Sequence, residues 1–213
     1  MHSLPGISRL SSDGNTVIVP FPPSLEQAAA ATRIRSTLLV SSLRALRRRE
    51  LFDTYTRFVA PEQVETITSA VAGVWLPIDL GIAHYRACDA LQLPLSEQLL
   101  IGAEVVREMQ QTFLGTLVKL SASAGVTPWA GLKKFSTIYE RMFDGGGVCI
   151  TQLGPKDARA QVVGLPLASI GYFRNAYRGF IQAGCEFFSA HVYVVEATKF
   201  CSPTTVGYRV SWV

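Results

Sequence analysis

The sequence is short of histidine, of charge and of unbroken apolar stretches. Three histidines, His2, His84 and His191, serve 213 residues. An internal pair makes no self-contained zinc site without thiols or carboxylates beside it, and no H-E-x-x-H pair is present. The four cysteines, Cys88, Cys149, Cys185 and Cys201, form no C-x-x-C pair, the spacing common in zinc and dithiol sites. They read as reduced thiols used as small hydrophobes. Charged residues make up only 17%, which excludes a disordered chain, a coiled coil and a highly charged tail. No apolar run reaches the roughly 18 residues of a membrane span, and the start lacks a basic region followed by an apolar one. A cytoplasmic protein without a membrane span is expected.

What is present is apolar. Hydrophobic residues reach 48% and the mean hydropathy is +0.24, enough for one full core. The net charge is +4, with one local cluster at Arg44, Arg47, Arg48 and Arg49. A solvated helix C-terminus accounts for that cluster; a phosphate-binding patch is the rival. No helix-turn-helix, zinc-finger or RNP-type motif accompanies it, so nucleic acid is not an expected partner.

Residues 1–24 form a lead segment punctuated by Ser, Gly, Asn and Pro, with a short strand at 16–19. Residues 25–213 read as a single domain. Up to 143 the pattern is helical: an extended insertion at 38–40, a helix over 43–58, and a short helix from Pro61 to about Gly73. Residues 75–79 read as a loop before a helix ending near Leu91. Leu99, Val106, Met109, Phe113, Leu117 and Leu120 recur at helical spacings and place a helix over 96–124. Thr127-Pro128 opens another, carrying Trp129, Leu132, Phe135, Tyr139 and Met142, and Asp144-Gly145-Gly146-Gly147 ends it. After Gly147 the pattern becomes strands at 148–153 and 158–164, a helix over 172–188, and strands at 191–198 and 206–212. Helices followed by a small antiparallel sheet make an α+β fold, an N-terminal helical half packed on a C-terminal ββαββ unit.

Sites of chemistry are sparse. There is no phosphate loop and no G-x-S-x-G elbow. Gly145-Gly146-Gly147 follows a helix and precedes a strand, the reverse of a phosphate cradle, and reads as a turn. Glu104 and Glu108, four apart, suit a solvated face with salt bridges. Asp79 caps a helix. Arg174 and Arg178 suit hydrogen bonding at a sheet–helix junction or a carboxylate ligand. No serine or cysteine is nominated as a nucleophile for a triad with His84 or His191; an enzyme with an unrecognised site stays a third reading. The aromatics, Trp75, Phe113, Trp129, Tyr139, Tyr172 and Tyr177 among them, fit either a packed core or an apolar pocket between helices and sheet.

An ordered set of segments carries a resemblance. Trp75-Leu76-Pro77-Ile78, Gly102, Gly115-Thr116-Leu117 and Tyr139-Glu140-Arg141-Met142-Phe143 with Gly145-Gly146 form one part. Gly154-Pro155-Lys156-Asp157-Ala158, Tyr172-Phe173-Arg174, Arg178-Gly179 and Tyr208-Arg209-Val210-Ser211-Trp212 form the other. Together, over residues 34–213, they resemble a paralogous family of this length best known from myxobacteria. That family is similar to the heme NO-binding, four-vinyl-reductase and TRAPP-subunit group of ligand-binding domains. In that group the space between helices and sheet can hold heme, a small aromatic or an acyl chain, and members often dimerise. The resemblance therefore implies a sensor or assembly module. The Tyr-x-Ser-x-Arg motif that grips heme propionates in the gas-sensing branch is absent, although His84 sits on a suitable helix, so heme is disfavoured and no cofactor is expected.

The expected function is a non-enzymatic module binding a small apolar or acyl ligand or a protein partner, as a homodimer. A purely structural homodimeric scaffold with a filled core is the alternative. A pocket would be lined by Trp75, His84, Phe113, Trp129, Tyr139 and Tyr177, with Arg141 or Arg178 at its mouth.

Overall fold

A computed structural model describes residues 14–21, 30–71, 73–109 and 127–213. The expected positions at Phe113 and 115–117 lie outside the described residues. Strand β1 (Thr16–Val19) precedes β2 (Arg33–Arg35), α1 (Ser36–Arg48), α2 (Phe52–Tyr55), a 3₁₀ turn at Thr56–Phe58 and α3 (Pro61–Ser69). Then come β3 (Trp75–Pro77), α4 (Ile78–Ala90), α5 (Leu95–Met109), α6 (Pro128–Lys133), α7 (Phe135–Met142) and β4 (Phe143–Asp144). The C-terminal part is β5 (Gly147–Gly154), β6 (Asp157–Val163), α8 (Gly171–Glu186), β7 (Val192–Glu196) and β8 (Val206–Trp212).

The fold is α+β. Its main sheet runs β1-β5-β6-β8-β7 with every neighbour antiparallel. The lead-segment strand β1 pairs with β5, so the expected four strands become five. The long helix α8 crosses one face of this sheet. Val194, Tyr208 and Val210 point into that face, and all are buried. Tyr208 Oη donates to the Arg174 carbonyl at 2.8 Å and ties strand to helix.

A glycine seam joins the helical half to the sheet half. A Cβ on Gly102 of α5 would run into the Ala176 carbonyl, and one on Gly179 of α8 would run into the Leu99 carbonyl. Each helix thus presents a glycine to the other's backbone. Asn175 Nδ2 donates to Gln98 Oε1 at 2.9 Å beside the crossing. No helix among the described residues is long and apolar enough to cross a membrane.

Four local expectations change. Residues 38–40 are helical, because Leu38, Leu39, Leu43 and Leu46 share the buried face of α1. The helix expected to run on to Phe58 stops at Arg48: Leu51 N–H bonds the Leu46 carbonyl and Glu50 N–H that of Arg47, with Glu50 at φ +58°. This is a helix stop in which glycine usually takes the left-handed position. The loop expected at Trp75 is strand β3, paired with β2, which also pairs with β4. The helix expected over 128–142 breaks at Lys134 into α6 and α7.

Candidate functional site

The seam between helices and sheet is filled by rings. Phe173, Tyr177 and Phe180 stack along α8, with centroids 5.3 and 5.6 Å apart and planes 18° and 4° from parallel. Tyr85 of α4 meets Phe173 edge-on at 4.9 Å, and Phe135 of α7 lies 6.3 Å from Tyr177. Among the described residues, two small voids are walled by Phe180. One, of about 20 Å³, also touches Ser42, Gly102 and Tyr177; the other, of about 40 Å³, touches Leu132, Phe135 and Phe188. The first is the size of one water. Tyr177 Oη is buried with no hydrogen-bond partner, and burial raises its pKa well above the ordinary value.

A polar knot lies in the helical half. His84, wholly buried, shares a 2.9 Å hydrogen bond with Tyr55 Oη at Nδ1 and another 2.9 Å bond with Ser42 Oγ at Nε2. Cys88 Sγ stands 3.7 Å from Nε2. Neutral imidazole donates at one nitrogen and accepts at the other, so both hydroxyls are served. Burial lowers the His84 pKa to about 3. Burial also raises all four thiols, Cys185 to about 12, and none is in a disulfide. Such thiols are protonated and poorly nucleophilic at neutral pH.

A cavity large enough for a small molecule lies among the described residues. A crevice of about 500 Å³ opens between the end of β1, α7 and the glycine turn leading into β5. Val19, Phe21, Phe143 and Val148 supply apolar walls; Ser136, Glu140 and Asp144 supply polar ones. The turn is shaped by Gly145 and Gly146 at φ +97° and +70°. A Cβ on Gly146 would strike Tyr139 Oη, which donates to the Gly145 carbonyl at 3.1 Å. Arg33 holds Asp144 through Nε at 2.7 Å.

The structure scatters the residues singled out from sequence. Tyr139 borders the crevice, and Tyr177 lies deeper in the aromatic seam. His84 lies in the polar knot. Trp75 is half-buried on β3 with the Arg35 guanidinium 3.7 Å above its ring. Trp129 packs edge-on against Trp212 at 5.0 Å and donates from Nε1 to the Pro155 carbonyl at 2.8 Å. Arg141 is exposed at the end of α7, and its carbonyl accepts from Arg35 Nε at 3.2 Å. Arg178 reaches the Val194 carbonyl on β7. Phe113 lies outside the described residues. Reading the sequence missed Ser42 and Tyr55, which no motif marks and which only the fold brings to His84.

The arginine cluster and the paired glutamates, read separately as solvated surfaces, meet each other. Arg48 reaches Glu104 at 2.8 Å and Glu108 at 2.7 Å; Arg49 reaches Glu104 at 2.7 Å and Glu97 at 2.9 Å. These pairs occupy Arg48 and Arg49, Glu108 also lies 3.9 Å from Arg44, and Arg47 sits over the Phe52 ring, which disfavours the rival reading of a phosphate patch.

A family model described as "Protein of unknown function (DUF2378)" matches residues 95–213, more than half of the chain. The chain belongs to the DUF2378 family. No curated protein matches it. Among solved structures, this DUF2378 member is similar to the Fe(II) unliganded H-NOX protein from K. algicida, at 9% identity and TM-score 0.62, covering 84% of this chain and 97% of that one. It is also similar to an oxygen binding H-NOX domain related to soluble guanylate cyclases, at 11% identity and TM-score 0.54, covering 84% and 95%. A mutant of T. tengcongensis H-NOX gives 11% and 0.56, covering 84% and 97%. At these identities the likeness shows the fold alone.

His84 does not offer an axial ligand to heme, the group named with further solved structures similar to this DUF2378 chain. An axial imidazole needs a ring nitrogen facing a cavity. Both His84 nitrogens are bonded to hydroxyls, and the void beside Ser42 is about 20 Å³, whereas sites for ligands of drug size start near ~300 Å³. His191 is exposed just before β7, and His2 lies outside the described residues.

Proposed function

We propose that this DUF2378 protein is a non-catalytic sensor or assembly module. Its ligand is a small apolar or acyl molecule with one polar end, bound in the crevice between β1, α7 and the glycine turn. The observation that carries this reading is the size and lining of that crevice: about 500 Å³, with one apolar wall and one polar wall. The H-NOX-like fold supports a binding role, and the protonated, mostly buried thiols support the absence of catalysis. Exposed Phe58, Val71, Val74, Leu95 and Leu100 on the helical half support contact with a protein partner or a second copy, the TRAPP-like homodimer implied by the resemblance to a paralogous myxobacterial family. The proposal places the module in the cytoplasm.

Native mass spectrometry of protein made in cells tests the reading. A co-purified mass adduct is expected on the wild type and not on Ser136→Trp, which fills the crevice from a half-exposed position. An unadorned wild type that also takes up no added fatty acid would overturn it. The filled aromatic seam favours a second reading, a purely structural homodimeric scaffold. That reading expects the unadorned wild type to have twice the chain mass by light scattering.

A further inference from the structure

Strand β7 is one edge of the main sheet, and its backbone shows which groups face away. Val213 N–H donates to the His191 carbonyl at 3.2 Å, and Ala197 N–H to the Gly207 carbonyl at 2.8 Å. Bonded residues alternate along an antiparallel strand. His191, Tyr193, Val195 and Ala197 therefore turn their backbone toward β8. The N–H and C=O groups of Val192, Val194 and Glu196 point off the sheet. Val192 and Val194 bury their side chains under α8, while Tyr193 and Val195 are 60% and 47% exposed on the opposite face.

An edge of this kind is a template for another strand. It is also self-complementary. In a two-fold antiparallel register about Val194, Tyr193 of one copy falls opposite Val195 of the other, a favourable aromatic–β-branched pair, and it does so twice.

One residue spoils the match. Arg178 of α8 reaches around the strand, and its Nε donates to the Val194 carbonyl at 2.5 Å. That carbonyl is the outward acceptor at the centre of the edge. One helical turn earlier, Arg174 holds Glu196 at 3.3 Å. Arg178 has no carboxylate within ion-pair distance among the described residues, so charge pairing with those residues does not explain its placement.

We propose that Arg178 closes the β7 edge against a second copy of this chain. It occupies the central acceptor that an added strand needs. In the two-fold register the two Arg178 side chains also converge on the axis, where like charges repel. The rest of the edge favours the pairing that this residue prevents.

Arg178→Met keeps the apolar stem and removes the donor and the charge. Light scattering at matched concentration is expected to show twice the wild-type mass or more. Tyr193→Lys with Val195→Lys, added to Arg178→Met, sets lysine opposite lysine and is expected to restore the wild-type mass. The readout is the change from the wild type's own mass, so it is separate from the helical-side contact proposed above. An Arg178→Met protein of wild-type mass overturns the proposal, as does a raised mass that the two lysines leave intact. Should Arg178→Met fail to fold, wild-type NMR decides: the Arg178 Nε–H is expected to be protected from solvent exchange at neutral pH, and fast exchange overturns the proposal.

Discussion

Helix α5 is joined on its two sides by opposite means. Toward α8 it offers Gly102 and receives Gly179, backbone against backbone, with no charge between. Toward α1 it offers Glu97, Glu104 and Glu108 to Arg48 and Arg49 across a partly wet boundary. The dry joint has no slack: each Cβ position is already taken by a carbonyl, so tolerance there ends at hydrogen. The wet joint is redundant, because Glu104 is shared by two arginines and each arginine has a second acid. Close packing makes one side brittle, and screened, shared charges make the other forgiving.

Gly102→Val tests the brittle side and has the largest expected effect. It forces α5 and α8 apart, at a cost on the order of 3 kcal/mol or more, and the protein is expected to lose its cooperative thermal transition. Acid should act next most strongly, through the polar knot. His84 has a folded pKa of about 3 against an unfolded value of 6.5. The unfolded chain therefore takes up a proton that the fold refuses. Its contribution is complete above pH 6.5 and falls as pH drops toward 3, by up to about 1.4 kcal/mol per pH unit. Urea melts between pH 7 and 4 should show that slope, and His84→Gln should flatten it; equal slopes in both proteins would place the acid sensitivity elsewhere. Arg49→Ala tests the forgiving side. It is expected to cost about 1 kcal/mol at low salt and less at high salt, read from melts at two ionic strengths. A loss as large as that of Gly102→Val would erase the contrast between the two joints.

The parts legible in the sequence are those with long, regular patterns. Val206, Tyr208, Val210 and Trp212 alternate, and β8 lies where they place it. The apolar spacing on α8, and that of α5 as far as Met109, marks each helix in the same way. What stayed hidden depends on distant partners. Strands β2 and β3 are three residues each, too short for a period, and β2 exists by pairing with residues about 40 and 110 positions on. Glu50 gives no local sign that a helix stops, since the left-handed position carries no glycine. The candidate site divides the same way. Tyr139 and the glycine turn both stand out in the sequence, but nothing local shows that β1 closes a crevice over them. His84 stood out as a rare residue, while the hydroxyls that occupy its nitrogens come from α1 and α2.

The indole pair has a practical consequence. Trp129 and Trp212 come from α6 and the last strand, and their rings cross at 78° and 5.0 Å. Two chromophores so near and so tilted couple their strong indole transitions and give a paired signal in far-ultraviolet circular dichroism. The third tryptophan, Trp75, sits beneath an arginine and has no such neighbour ring among the described residues. Undocking of α6 from the carboxyl-terminal strand would thus have its own optical signature, readable without any label.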